Sequence, residues 1–234
     1  MTKHSYNTQF FEEITSEQQA YWLGFIVADG NINNHMTQLC FNQKGSDYEH
    51  LEKLVTSLNG TQKITMTIVS GYPVARLTIC GKKLCSDLME VGVFPRKSMT
   101  QKIPAIASKL RRHFWRGVMD GDGSLGHWIN NAGRKYATIS INGNSNIVKG
   151  FHEFLTDNGI SPPAITKHYS IYKLKLSGIR KPLDVAELLY NESSVHLSRK
   201  KAIADQFLVD YTERRDIEVL RRLPRETARP SFER

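Results

Sequence analysis

Two aspartates stand where helix electrostatics disfavours them. The stretch WLGFIVADG (Trp22–Gly30) recurs as WRGVMDGDG (Trp115–Gly123), 93 positions later, and the copies close on Asp29-Gly30 and Asp122-Gly123. Each copy carries Trp, Gly two residues on, an apolar pair, and a small residue before the Asp. Ser16 with Gln19 is a capping-box start, so the spacing predicts a helix over Ser16–Ala28, closed by Gly30 in a left-handed cap position. Asp29 then lies at the negative end of the helix dipole, and Asp122 repeats the arrangement.

Gly24 and Ala28 are four apart, as are Gly117 and Gly121. Small residues at that spacing lie on one helix face and let two backbones approach closely. Packed about a pseudo-twofold axis, the two helices would bring Asp29 and Asp122 together, at a cost in stability unless a cation lies between them. Oxygen donors of this kind select Mg²⁺ or Ca²⁺, so a divalent metal site is expected. Asp-Gly is also a common turn signal, but a turn does not require the whole nine-residue pattern to recur. The run Asp120-Gly121-Asp122-Gly123-Ser124 suggests a calcium loop, yet the twelfth position is Asn131 where an EF-hand needs Glu. The eight histidines form no HxxxH pair and read as surface or structural. Cys40, Cys80 and Cys85 form no CxxC pair, so no disulfide framework or zinc knuckle is indicated and they read as reduced structural thiols.

The elements that position these helices are also duplicated. SDYEHLEKLVTSLNG (Ser46–Gly60) matches SNIVKGFHEFLTDNG (Ser145–Gly159), and LTICGKKLCSDLMEVGV (Leu77–Val93) matches LKLSGIRKPLDVAELLY (Leu174–Tyr190), in the same order. Between them the hydrophobic period changes to two, predicting strands over Thr37–Gln43, Lys63–Val69, Tyr136–Asn142 and Ile171–Leu176. Leu39, Phe41, Ile64, Met66, Ile68, Ile139, Ile141, Tyr172, Leu174 and Leu176 are expected to face inward. Each half therefore reads helix, two strands, helix, two strands, helix: an α+β fold whose antiparallel sheets bury one face under helices and leave the other wet. The wet face carries Gln38, Asn42, Lys63, Thr65, Thr67, Arg76 and Thr78, then Thr138, Ser140, Lys173 and Lys175. Such side chains reach base edges and phosphates, although strand propensity also enriches Thr on any solvated sheet face.

The two nonapeptides, their spacing and the element order resemble the LAGLIDADG homing endonucleases in their single-chain, two-motif form, over roughly residues 15–207. That resemblance implies two pseudo-symmetric αββαββα halves joined by the packed motif helices. It implies a site-specific endonuclease that hydrolyses both strands of a long pseudo-palindromic double-stranded DNA target with Mg²⁺, leaving short 3′ overhangs, as in intron homing, with Ca²⁺ or Mn²⁺ as substitutes. Asp29 and Asp122 take the metal-binding role, with the backbone carbonyls of Ala28 and Gly121 sharing the shell. Asp120 falls at an earlier acidic position, where the first copy has Val27, and is expected to be structural. The family's polar position at the end of the strand before the second helix maps to Gln43 and, with a one-residue slip left open, to Asn142. Its basic position maps to Lys97 and Lys200, with Lys44 a rival; each lysine fits a phosphate contact as well as a catalytic role. The same fold admits a non-cleaving RNA maturase or DNA-binding regulator.

The remaining composition fits. The chain has 234 residues, with 32 Lys+Arg against 23 Asp+Glu and a formal charge of +9, which favours a polyanionic partner. No apolar run approaches the ~18 residues that span a bilayer, and the polar start lacks the apolar core of a secretory signal. A monomer without membrane or protein partner, intracellular and associated with nucleic acid, is expected. The expected divisions are a leader (1–14), first half (15–100), second half with linker (101–207) and a charged tail (208–234), the tail beginning as a short helix and then fraying.

Overall fold

The computed structural model describes residues 4–95 and 100–222, the stretch 211–222 as backbone. The first half runs α1 (Glu17–Asp29), β1 (Asn31–Ile32), β2 (Gln38–Lys44), α2 (Tyr48–Ser57), β3 (Thr65–Val69), β4 (Tyr72–Cys80) and α3 (Lys82–Glu90). The second repeats it as α4 (Arg111–Asp122), β5 (Gly123–Ile129), β6 (Lys135–Gly143), α5 (Ser145–Asp157), β7 (Thr166–His168), β8 (Ile171–Gly178) and α6 (Arg180–Tyr190), followed by α7 (Ser198–Arg222). The sheets are antiparallel, ordered β1-β2-β4-β3 and β5-β6-β8-β7.

Strand parity divides each sheet into a packed and an open face. Leu39, Phe41, Ala75, Leu77 and Ile79 are buried in the first sheet, and Leu125, Ile139, Ile141, Leu174 and Leu176 in the second. Their alternate neighbours turn away from the helices. The motif helix α1 begins at the expected capping box, with the Ser16 hydroxyl accepting from the Gln19 N–H and the Gln19 side chain accepting from the Ser16 N–H. Every residue from Ala20 to Val27 is buried, as befits a helix enclosed on all sides.

The small-residue faces do what their spacing predicts. A methyl at Gly24 would overlap the Phe114 carbonyl, and one at Gly117 would overlap the Tyr21 carbonyl and come within 2.7 Å of the Phe25 N. Phe114 and Val118 stand to Gly24 as Tyr21 and Phe25 stand to Gly117, which is the signature of a pseudo-twofold axis through the helix pair.

Several expectations need correction. Gly30 is extended (φ −72°, ψ 145°) rather than left-handed; glycine is required there because a Cβ would come within 2.9 Å of the Ile26 backbone. Lys63 lies ahead of β3, outside the paired strand. Met66 and Ile68 are exposed, not inward, and Pro73, in register with Ile68, is exposed as well, so this end of the hairpin has no cover on the face the alternation assigns inward. The C-terminal segment is not a short helix: α7 is a single helix of 25 residues and continues through the expected boundary at 207.

Candidate functional site

Asp29 and Asp122 are the last residues of α1 and α4. The close packing carries these ends together: a Cβ on Gly121 would touch the Ala28 side chain and lie 3.2 Å from Asp29 Oδ2. The Asp29 carboxylate is thus set against the residue that precedes Asp122. Gln43 completes the first half of the site. Sheet parity puts it on the same helix-facing side as Leu39 and Phe41, and its Nε2 donates to Asp29 Oδ2 at 2.9 Å.

The second half is built differently. The register Phe41↔Leu77, Gln43↔Ala75 corresponds to Ile141↔Leu174, Gly143↔Tyr172. The place of Gln43 is therefore taken by Gly143, and the one-residue slip is realised. Asn142 points to the open face in register with Lys173, although it still borders the same cavity as Asp122. That cavity, about 280 Å³, is lined by Val27, Ala28, Gln101, Asp122, Asn142, Gly143 and Asn144 among others. A larger cleft of about 690 Å³ beside Gln43 is bordered by Asn42, Lys44, Tyr72 and Arg76.

Lys200 is buried beneath the pair, 3 % exposed. Its Nζ donates to the carbonyls of Met119, Asp120 and Gly123 at 2.8, 2.7 and 2.6 Å, with the Gly121 carbonyl a weaker fourth at 3.4 Å. The ammonium thus neutralises the negative end of α4. Burial lowers its pKa to about 8 while Asp120, Asp29 and Asp122 oppose the shift, so it remains protonated at neutral pH. Lys97 lies outside the described residues. Lys44 is exposed at the end of β2.

Behind this layer lies a polar network the sequence did not reveal. The Asp120 carboxylate, 1 % exposed, accepts from the Tyr21 hydroxyl, the Tyr190 hydroxyl and the Leu197 N–H, each at 2.7 Å. Burial raises the Asp120 pKa against these three donors. Tyr21 spends its proton on Asp120, so at 2.9 Å His50 Nε2 must be the donor to the Tyr21 oxygen. That leaves His50 Nδ1 as a bare acceptor, buried without a partner, and burial lowers the His50 pKa to about 3. Arg116, fully buried, donates to the Val195 and Leu189 carbonyls and to Glu17, linking α4 to the start of α1 and to the segment before α7.

The open faces gather most of the expected contact residues in rows. Asn42, Arg76 and Thr65 are in register across the first sheet, with Cys40 and Thr78 in the next row. Gln38 pairs with Cys80, and Thr67 pairs with Val74. In the second sheet Ser140 aligns with Lys175, Asn142 with Lys173, and Thr138 with Ser177. Of the three free thiols, Cys85 is buried while Cys40 and Cys80 lie on the open face rather than in the core. Among the described residues no group of three or more His, Cys, Asp or Glu is arranged to hold a metal, and no helix is long and apolar enough to cross a membrane.

No protein-family model and no curated protein matches the sequence. Solved structures match its shape. The LAGLIDADG meganuclease I-AabMI bound to uncleaved DNA superposes with a TM-score of 0.60 at 12% identity, over 86% of this chain and 92% of that one. The meganuclease I-SmaMI bound to uncleavable DNA with a TTGT central four gives 0.61 at 12% identity, over 88% and 92%. Full-length DUF199/WhiA from Thermatoga maritima gives 0.52 at 16% identity, over 88% and 66%. The chain has the two-motif, single-chain LAGLIDADG fold.

Proposed function

We propose that this chain is a metal-dependent, site-specific DNA endonuclease that hydrolyses both strands of a long pseudo-palindromic duplex, as a homing endonuclease does, leaving short 3′ overhangs. The observation that carries the reading is the juxtaposition of the Asp29 carboxylate with Gly121, one residue from Asp122, at the shared end of two packed helices. Two unequal polar sheets flanking that point suit two unequal half-sites, and the charge of +9 suits a polyanion.

The residues fit a hard divalent cation. The donors at the shared helix end are the Asp29 and Asp122 carboxylates, and Mg²⁺ needs only one or two carboxylates when water and phosphate complete its shell. Bound there, Mg²⁺ supplies polarisation of the scissile phosphate and of a hydrolytic water and stabilisation of the leaving 3′ oxygen. Asp29 and Asp122 would hold it, one serving each strand, with the carbonyls of Ala28 and Gly121 alongside. Gln43 orients the Asp29 carboxylate through its 2.9 Å hydrogen bond. Lys200 fixes the carbonyls at the end of α4 and offsets the crowding of acids without approaching DNA itself. No Ser, His or Cys nucleophile is needed. A monomer suffices, because both halves of the site lie on one chain.

The experiment is cleavage of a target selected from randomised duplex DNA, with Mg²⁺ or with EDTA. Wild-type protein should cut both strands under Mg²⁺ and neither under EDTA. Asp29→Asn should abolish double-strand cutting while binding persists. Cutting by that variant at the wild-type rate overturns the assignment. Bound but uncut DNA under Mg²⁺ points instead to a non-cleaving regulator or RNA maturase.

A further inference from the structure

We infer that the β5–β6 hairpin is a reading arm that lengthens only one half of the target, with Trp128 as its specificity-determining contact to thymine methyl groups. This rests on the DNA-binding reading above and adds to its unequal half-sites a structural cause, an extent and the residue that reads the longer arm.

Both first hairpins start beside the catalytic pair and run outward, since β1 follows Asp29 and β5 follows Asp122. They differ in length: β1 has two residues and β5 has seven. Counted from each aspartate to its turn, with Asn31 opposite Cys40 and Gly123 opposite Ile141, the second hairpin is longer by about 3.5 residues per strand, which at ~3.3 Å per residue carries its tip roughly 12 Å farther from the aspartates, about three base pairs at ~3.4 Å each.

The outer face of that extension is apolar where the rest of the sheet is polar. Trp128 is 47 % exposed and pairs in register with Tyr136, their rings stacked at 4.7 Å and 18°. Parity puts both on the face of Thr138, continuous along β6 with the row that leads to the cavity beside Asp122. Next to them Gly126 leaves the surface flat; a Cβ there would meet only Thr138 Oγ1, at 3.8 Å. The opposite face is braced by α7, through Lys135 to Asp210 at 2.7 Å. The arm is therefore held from the helix side and open on the DNA side. An aromatic surface continuous with a polar groove-facing strand fits the thymine C5-methyl, the apolar feature of the major groove.

The test is selection of bound sequences from duplexes with a long randomised segment, using the full chain in Ca²⁺ buffer. Enriched sites should have one arm longer by about three base pairs, with A·T pairs preferred at its far end. Trp128→Ala should weaken binding to those sites about fivefold, flatten preference only in the extra arm, and be rescued by Trp128→Phe. Arms of equal length, or an unchanged profile in Trp128→Ala, overturn the inference while leaving sequence-specific binding intact. Absence of any enrichment overturns the recognition reading itself.

Discussion

At the scale of single residues, the site is assembled from groups that hold one another in fixed protonation states. His50 is the clearest case. Tyr21 donates to Asp120 and so forces His50 to donate from Nε2, leaving Nδ1 with no partner for a second proton. The folded chain refuses that proton until about pH 3, whereas the unfolded histidine takes it near 6.5. The unfolded state therefore binds more protons between these values, and stability is lost as pH falls through the window. His113, lowered to about 4, and His196, also lowered, act in the same direction. Urea titrations at about pH 7 and pH 4 should show wild type losing on the order of 3 kcal/mol more than His50→Gln. Equal losses would mean that His50 titrates freely.

At the scale of elements, the closeness of α1 and α4 governs everything downstream. Gly117→Ala improves helix propensity by about 1 kcal/mol, yet its methyl would overlap the Tyr21 carbonyl, which belongs to helix backbone and cannot rotate away. The clash should win, with a net destabilisation of about 2–4 kcal/mol by urea unfolding, while Gly126→Ala, whose methyl would make only an ordinary contact with Thr138 Oγ1 at 3.8 Å, changes stability by under about 0.5 kcal/mol. A neutral Gly117→Ala would contradict the packing described.

These helices were legible in the sequence because duplication shows the same small-residue spacing twice, and the strands because their period is two. Gly143 was hidden by the longer β5–β6 hairpin, which changes the offset between copies and shifts the polar position by one. Met66 and Ile68 broke their pattern because alternation reports a face, not whether a helix covers it. Lys200 matched a basic position, but its partners are backbone carbonyls, which every sequence has. The Asp120 network joins residues from five segments, those of Tyr21, His50, Asp120, Tyr190 and Leu197, and nothing local marks them as neighbours.

At the scale of the whole molecule, the two halves are joined by more than the helix pair. Arg199 donates to buried Asp47 from both Nε and Nη2, and Lys53 donates to the His196 carbonyl and the Ser198 hydroxyl. The segment entering α7 is thereby tied to the first half while Lys200, next in sequence, closes the end of α4. This makes the site a property of the assembled chain: each aspartate is positioned by elements from both halves. On the proposed function, Asp29 and Asp122 jointly bind a divalent ion against the DNA backbone. Titration of Mn²⁺ into the complex of protein with its selected duplex, followed by electron paramagnetic resonance, reads that directly. Wild type should bind Mn²⁺ at least tenfold more tightly than the double variant Asp29→Asn/Asp122→Asn, with both proteins still holding DNA. Indistinguishable Mn²⁺ isotherms for the two complexes would contradict the account.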